Sequence, residues 1–339
     1  MELIHRVYNT VREYGLFRPG QTIIIGLSGG PDSVTLTDIL WRINKHFKTG
    51  WRLVIAHLNH QMRGRKSDRD EAFARKMAGK LDIPIYVNRK NIIQLSKRHK
   101  QSLEETARYE RYRFFEKFAK RLGCNRRKQP ISIGVGHNLD DNAETVLFRI
   151  IRGTGLKGLR GIIPKRKLSH GSAIELVRPL IFTPRQEIIV YLKSQKLPYC
   201  TDHTNKDQKM LRNRIRHELL PLLKKYNPAI SQHLVQLSET ASAHYDYLDK
   251  IVQAKIPRKA NTLIIKKIKK EYPIIQAEML TKTLENIEGT RALTYNHYQA
   301  LLKLINSHKP GGEIHLPDNI IARIRNGKLI IKRFNNRRN

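Results

Sequence analysis

The chain has 339 residues, with 65 Lys and Arg against 29 Asp and Glu, a formal net charge of +36. That length allows two domains and a sizeable core, and no apolar run reaches the length of a membrane-spanning helix. Two cysteines, Cys124 and Cys200, lack metal-ligand spacing; they argue against a zinc site and a disulfide framework and for a reducing compartment. The charge is +21 over residues 1–207 and +15 over residues 208–339, so it is not one basic tail. A chain this basic repels itself unless a polyanion compensates, and RNA or DNA is the first expectation. An anionic membrane surface is second, without a Lys-rich amphipathic helix to support it. A compositional bias toward lysine would leave the abundant arginine unexplained.

In chain order, the N-terminal stretch reads as an amphipathic helix with no leader peptide. Strand-like runs follow at Thr22–Leu27, Arg52–His57, Pro84–Asn88, Ile131–Gly136 and Ile174–Val177. Helical patterns alternate with them at Ser33–Phe47, Asp68–Leu81, Leu103–Leu122 and Asp140–Ile151. Strands alternating with helices predict a doubly wound parallel α/β sheet. Ligands bind such sheets at the carboxyl ends of the strands, which gathers Ser28–Ser33, His57–Gly64 and His137–Glu144 into one site. Thr183 then reads as an N-cap with Pro184 at the first helical position. A helix through Leu211–Leu223 is followed by a break at Asn227-Pro228 and a long helix over Ala229–Ala254. Helices at Ile274–Ile287 and Tyr295–Asn306 precede a hairpin turning at Asn326-Gly327. The expected domains are 1–207, catalytic, and 208–339, a helical and small α+β region.

Ser28-Gly29-Gly30-Pro31-Asp32-Ser33, between a strand and a helix, is an anion-binding loop without the Gly-Lys-Ser/Thr ending of the commoner phosphate loop. Glycines let backbone N–H groups approach a ligand, and the helix start adds positive potential. Asp32 is out of place beside an anion unless a divalent cation bridges them, which makes it the magnesium candidate. A tight capped turn is the plain alternative. Downstream, His137, Asp140, Asp141 and Glu144 converge on one strand end. Acidic residues at a helix start would by themselves explain Asp140.

The loop resembles that of the N-type ATP pyrophosphatases. The segments "AHLNHQMRG", "SDRDEAF", "LEETARYERYRFF", "GHNLDDNAETVLFRIIRGTGLKGLRGI", "RPL" and "LRNRIRHELLPLL", in that order, resemble the tRNA(Ile)-lysidine synthase family. Met62 departs from the family's usual leucine. The chain ends soon after the Asn326-Gly327 hairpin and so resembles the short form of the family.

The resemblance implies that ATP adenylates the wobble cytidine of a tRNA(Ile) with a CAU anticodon, and that free L-lysine displaces AMP. Ser28, Gly29, Gly30, Pro31, Asp32 and Ser33 would hold the pyrophosphate and Mg2+, with Ala56 and His57 bordering the adenosine. His57 and His60 could equally serve as strand caps. Arg108 would face the α-phosphate; an ion-pair ladder with Glu104 and Arg111 is its bland alternative. Asp141 and Glu144 would bind magnesium or the lysine ammonium, with His137 beside them. "RGTGLKGLRG" reads as a mobile basic loop, so Arg152, Lys157 and Arg160 are expected to contact tRNA or lysine, as are Arg212 and Arg216 on one helical face. A thiolase of the same superfamily and a non-catalytic RNA-binding protein are the competing readings. The expected setting is soluble, a bacterial cytoplasm or a plastid, with no membrane partner and with oligomeric state open, a homodimer being one option.

Overall fold

The computed structural model describes residues 1–123, 131–169, 172–200, 211–257, 260–287, 295–307 and 311–334. Cys124 and the expected 207/208 boundary lie outside the described residues. The chain divides into two compact units, Met1–Ala241 and Ser242–Asn339.

The first unit begins α1 (Glu2–Glu13), β1 (Thr22–Gly26), α2 (Pro31–His46), β2 (Arg52–Asn59), α3 (Arg65–Leu81), β3 (Ile85–Arg89), α4 (Ile92–His99) and α5 (Leu103–Arg121). It continues β4 (Ser132–Gly134), α6 (Leu139–Ile151), α7 (Leu156–Leu159), β5 (Lys165–Lys167), β6 (Glu175–Val177) and α8 (Arg185–Ser194). The sheet order is β3-β2-β1-β4-β6-β5, parallel except for the antiparallel edge strand β5. β1 is β-branched, and Ile23, Ile24 and Ile25 are fully buried, as a strand covered on both faces must be. Ile23 and Ile25 pack with apolar residues of α1, α2, α3 and α8. Ile24 points the other way, with Phe114, Phe115 and Phe118 of α5. The unit is therefore a doubly wound α/β layer, and its switch point lies between β1 and β4, where a crevice opens.

Several expected boundaries move. α2 starts at Pro31, two residues early, because Gly30 already accepts the Val34 N–H at 3.0 Å. Thr183 does not cap α8. Its carbonyl accepts the Leu139 N–H at 3.0 Å, and Pro184 becomes the N-cap. The edge strand Lys-Arg-Lys (β5) has no apolar alternation to announce it.

Beyond α8 come α9 (Leu211–Arg214), a π-helical turn (Ile215–Leu219), α10 (Leu220–Tyr226) and α11 (Ile230–Lys255). Ile215, Leu220 and Leu234 bury against Ala143, Val146 and Leu147 of α6. Residues 211–241 thus belong to the first of the two units and complete its core. Among the described residues no helix is long and apolar enough to cross a membrane.

The second unit contains β7 (Thr262–Ile264), α12 (Ile265–Ile268), α13 (Pro273–Glu285), α14 (Tyr295–Asn306), β8 (Glu313–Leu316), β9 (Ile320–Arg325) and β10 (Lys328–Arg333). Its antiparallel sheet runs β7-β10-β9-β8 and packs one face on Leu280, Leu284, Leu301 and Ile305 of the helices. The β9–β10 hairpin turns where expected, with positive φ at both Asn326 and Gly327.

Candidate active site at the β1–β4 crevice

The loop after β1 is held in shape by its own serines. Ser33 Oγ accepts the Ser28 N–H at 3.2 Å and donates to the Gly30 carbonyl at 2.9 Å. Gly29 sits at φ +90°, a conformation costly for any side chain, and its carbonyl accepts the Cys200 N–H at 2.9 Å. The first N–H groups of α2 have no intrahelical partner, and the loop and helix start together form an anion cradle.

A second loop, after β4, is pressed against the first. A Cβ on Gly136 would lie 2.8 Å from the Asp32 carbonyl carbon and 3.0 Å from Ser33 N. Two residues on, Asn138 serves both loops. Its Oδ1 caps α6 by accepting the Asp141 N–H at 3.0 Å, while its Nδ2 donates to Asp32 Oδ1 at 2.9 Å. Asp141 returns the capping box by accepting the Asn138 N–H at 3.2 Å. Arg185, at the start of α8, donates its backbone N–H to Asp140 and places Nη1 3.4 Å from Asp32 Oδ2. Burial pushes the Asp32 carboxyl up, Asp141 adds to the rise, and Arg185 opposes both.

The acidic face of α6 is met by the π-helical turn. Arg216 reaches both Glu144 oxygens and Asp141 Oδ1, the last at 3.0 Å. Arg212 Nε is 3.6 Å from Glu144. Burial raises the Glu144 carboxyl even so, with Arg216 opposing. A cavity of about 340 Å3 opens beside this group, lined by Asp140, Glu144, Arg185, Arg216 and Lys224 among others.

His137 is neutral. Burial and the neighbouring Arg178 push its ring down to about 3. Arg178 Nε donates to His137 Nδ1 at 3.3 Å, so Nε2 carries the ring proton and is a donor. His57 has the opposite polarity. Its Nδ1 bonds the Leu27 carbonyl at 2.8 Å, which leaves Nε2 as a buried acceptor with no partner among the described residues. Ala56 accepts the Leu27 N–H at 3.1 Å. His57 and Ala56 thus sit beside the loop.

The expected site residues therefore divide. Ser28–Ser33, Ala56, His57, His137, Asp141, Glu144, Arg212 and Arg216 surround the crevice. Arg108 is exposed on α5, 5.7 Å from the Tyr112 ring, and its charge acts on His137. Arg152 is at the far end of α6, roughly 16 Å along the helix from Asp141, stacked on Phe148. Lys157 is exposed on α7. The expected mobile loop is instead tied down: Arg149 donates to the Gly158 and Gly161 carbonyls at 2.7 and 2.8 Å, and the Arg160 carbonyl accepts from Ser238. A half-buried guanidinium thus holds two carbonyls at the C-terminal end of this glycine-rich segment. The sequence motifs contain Asn138 and Arg178, but neither these nor Arg185 was expected to serve the site. Asn138 was readable as an N-cap three residues before Asp141; the two arginines act through partners distant in sequence.

The PP-loop domain family, ATP_bind_3, matches residues 2–223, which places the chain in the PP-loop class. Its fold is similar to that of a U34-tRNA thiolase from Methanococcus maripaludis, with a TM-score of 0.55 at 21% identity, covering 71% of this chain and 79% of that one. The chain belongs to the tRNA(Ile)-lysidine synthase family. It is 33% identical over 325 residues to the tRNA(Ile)-lysidine synthase of Geobacter sulfurreducens, covering 94% of this chain and 66% of the relative. It is 32% identical over 332 residues to that of Dehalococcoides mccartyi, covering 95% and 68%. The chain spans about half to two thirds of the length of the curated relatives it matches.

Proposed function

We propose that the chain ligates free L-lysine to carbon-2 of the wobble cytidine of a CAU-anticodon tRNA(Ile), with ATP consumed to AMP and pyrophosphate. The observation that carries the reading is the contact of Gly136 with the Asp32–Ser33 peptide. It supports the reading because the loop after β1 and the acid–arginine cluster of α6 lie side by side, as two successive transfers at one base require.

In the first step the cytidine O2 attacks the α-phosphate and pyrophosphate leaves. Backbone donors of Ser28–Ser33 hold the leaving group, and Arg108 offsets charge at the α-phosphate. His57 Nε2 is an acceptor suited to the adenine amino group or a ribose hydroxyl. Among the described residues no three His, Cys, Asp or Glu side chains form a metal cage. A magnesium ion carried on phosphates needs only one or two carboxylates, and Asp32 fits that place; the ion would supply charge neutralisation of the pyrophosphate.

In the second step the lysine amine attacks carbon-2 and AMP leaves. The cavity beside α6 has both signs of charge, as a zwitterion requires. Asp140 and Glu144 suit the ammonium, and Arg185 and Lys224 the carboxylate. Asp141 and Glu144 are candidate acceptors of the amine proton.

The test is mass analysis of tRNA after incubation with ATP and isotope-labelled lysine. A lysine-sized, label-bearing mass gain at the wobble cytidine is expected. A sulfur-sized gain would favour thiolation, and no gain with no pyrophosphate release would leave a binding protein.

A further inference from the structure

Behind His137 lies a group of arginines, of which the steps above use only Arg108. Arg108 and Arg166 both lie over the ring of Tyr112, at 5.7 and 5.5 Å. Arg166 projects from the edge strand β5, whose register sets it opposite Leu176, two residues before Arg178. Arg178 is 4% exposed. It donates Nη1 to the Ile163 carbonyl at 2.6 Å and Nε to His137, leaving Nη2 without an acceptor among the described residues. Arg166 donates only to the Lys167 and Leu168 carbonyls. Among the described residues no carboxylate pairs with Arg108, Arg166 or Arg178.

Like charges are not collected without a counterion unless something else supplies one. A buried guanidinium is costly when unpaired, and Arg178 shows it: burial, then Arg166, push its guanidinium down to about 10. Burial would raise the Tyr112 phenol, yet Arg108 and Arg166 outweigh it and hold it below its usual value. Both departures report the same uncompensated positive field. Guanidinium groups spread around an aromatic ring offer planar forks for a phosphate and a face for a stacked base.

We propose that Arg166 and Arg178, beside Arg108 and Tyr112, form a second oxyanion site, separate from the loop after β1, that takes a phosphodiester of the single-stranded RNA carrying the target base. The inference rests on the reading that the substrate is RNA. A polymer is favoured over a second free nucleotide because the site is graded: Arg178 is buried, Arg166 is half-buried and Arg108 is exposed. A strand can enter at the buried end and leave along the exposed one. The loop after β1 already supplies donors for the nucleotide's pyrophosphate.

The test uses Arg166→Ala and Arg166→Lys in the full chain, since Arg178 is too buried to remove safely. The probe is an anticodon stem–loop RNA with a CAU loop, and a copy in which the linkages flanking the cytidine are uncharged methylphosphonates. Arg166→Ala should weaken the natural RNA about 10-fold and lower the salt slope by about 1. Arg166→Lys should recover part of the loss. The methylphosphonate should cost the wild type a comparable factor and Arg166→Ala little. Affinity for Mg·ATP should stay unchanged in both variants. If Arg166→Ala binds the RNA like wild type, or loses Mg·ATP instead, the site is not an RNA phosphate site. Lysine-dependent AMP release by wild type in the same series separates the two readings. Binding without AMP release removes the ligase reading and leaves the arginine site standing.

Discussion

Arg216 closes on Glu144 with two prongs, Nε at 2.5 Å from one carboxylate oxygen and Nη2 at 2.7 Å from the other. Glu144 is 2% exposed, so this ion pair is the acid's principal solvation. Removing one partner of a buried pair strands the other; allowing for the partly exposed arginine, Glu144→Gln should cost about 2 kcal/mol. Thermal unfolding should show a drop of about 5 °C. In a single-turnover assay with lysine withheld and then added, the variant should still form adenylated RNA but pass little on to product. Arg108→Ala should fail at adenylation. Equal failure of both variants at adenylation would assign Glu144 to the nucleotide.

Asp32 is fixed by Asn138 and faced by Arg185. Asp32→Asn keeps the shape and removes the charge. AMP formation should fall by at least roughly 100-fold, while stem–loop RNA affinity stays near wild type. Retained turnover would remove Asp32 from the phosphate chemistry.

The Gly136 contact makes a sharper demand. Gly136→Ala places a methyl 2.8 Å from the Asp32 backbone, and overpacking of this kind costs about 1–3 kcal/mol. The strain falls on the nucleotide loop, so Mg·ATP affinity measured by calorimetry should drop about 10-fold or more. Gly79→Ala, in α3 with open space around it, is the matched control and should be neutral or stabilising. If both variants bind ATP alike, the two loops are not coupled.

Burial holds three histidines neutral: His57 is lowered, His60 to about 4 and His137 to about 3. Their folded pKa values lie below the unfolded value of about 6.5. The unfolded chain therefore takes up protons first, and stability present above pH 6.5 is lost as pH falls toward 4. Buried Asp32 and Glu144, raised instead, act in the opposite sense at the acid end. Melting curves of wild type and His137→Gln separate the two. The variant should lose less stability between pH 6.5 and 5, and parallel curves would contradict a neutral buried His137.

The core under α6 sets where the chain can be cut. A fragment ending at Ala241 keeps Ile215, Leu220 and Leu234 on Ala143, Val146 and Leu147. It should fold and bind Mg·ATP. A fragment ending near residue 206 exposes that face and should be unfolded or aggregated by circular dichroism and light scattering. If the shorter fragment folds, the α6 contacts are not part of the core. With the +15 of residues 208–339 in place, the full chain should show a steep salt dependence of tRNA binding, several units on a log–log plot.

How much of this was legible depended on range. The loop Ser28–Ser33 was readable because one short stretch carries glycines, hydroxyls and a helix start together. The acids of α6 were readable for the same reason. What met them was not. Arg216 lies 72 residues from Glu144, Arg185 lies 153 from Asp32, and Arg178 lies 41 from His137. No local pattern encodes such pairs. Glycine content misled at Arg152–Gly161, because the holdfast, Arg149, belongs to the preceding helix.

The π-helical turn at Ile215–Leu219 carries one residue more per turn than the helices on either side. Each residue of an α-helix advances the wheel by roughly 100°. Ile215 and Leu220, five apart, would point to different sides of an ordinary helix, yet both are buried. The surplus residue acts as a phase shifter: it keeps Arg212 and Arg216 aimed at α6 while resetting the apolar stripe of α10 onto the same surface. Deleting any one position in His217–Leu219 would let the backbone relax into a regular spiral and would turn the arginines out of phase with the leucines. A shortened chain could keep its helix content and lose the alignment between its charge and its core.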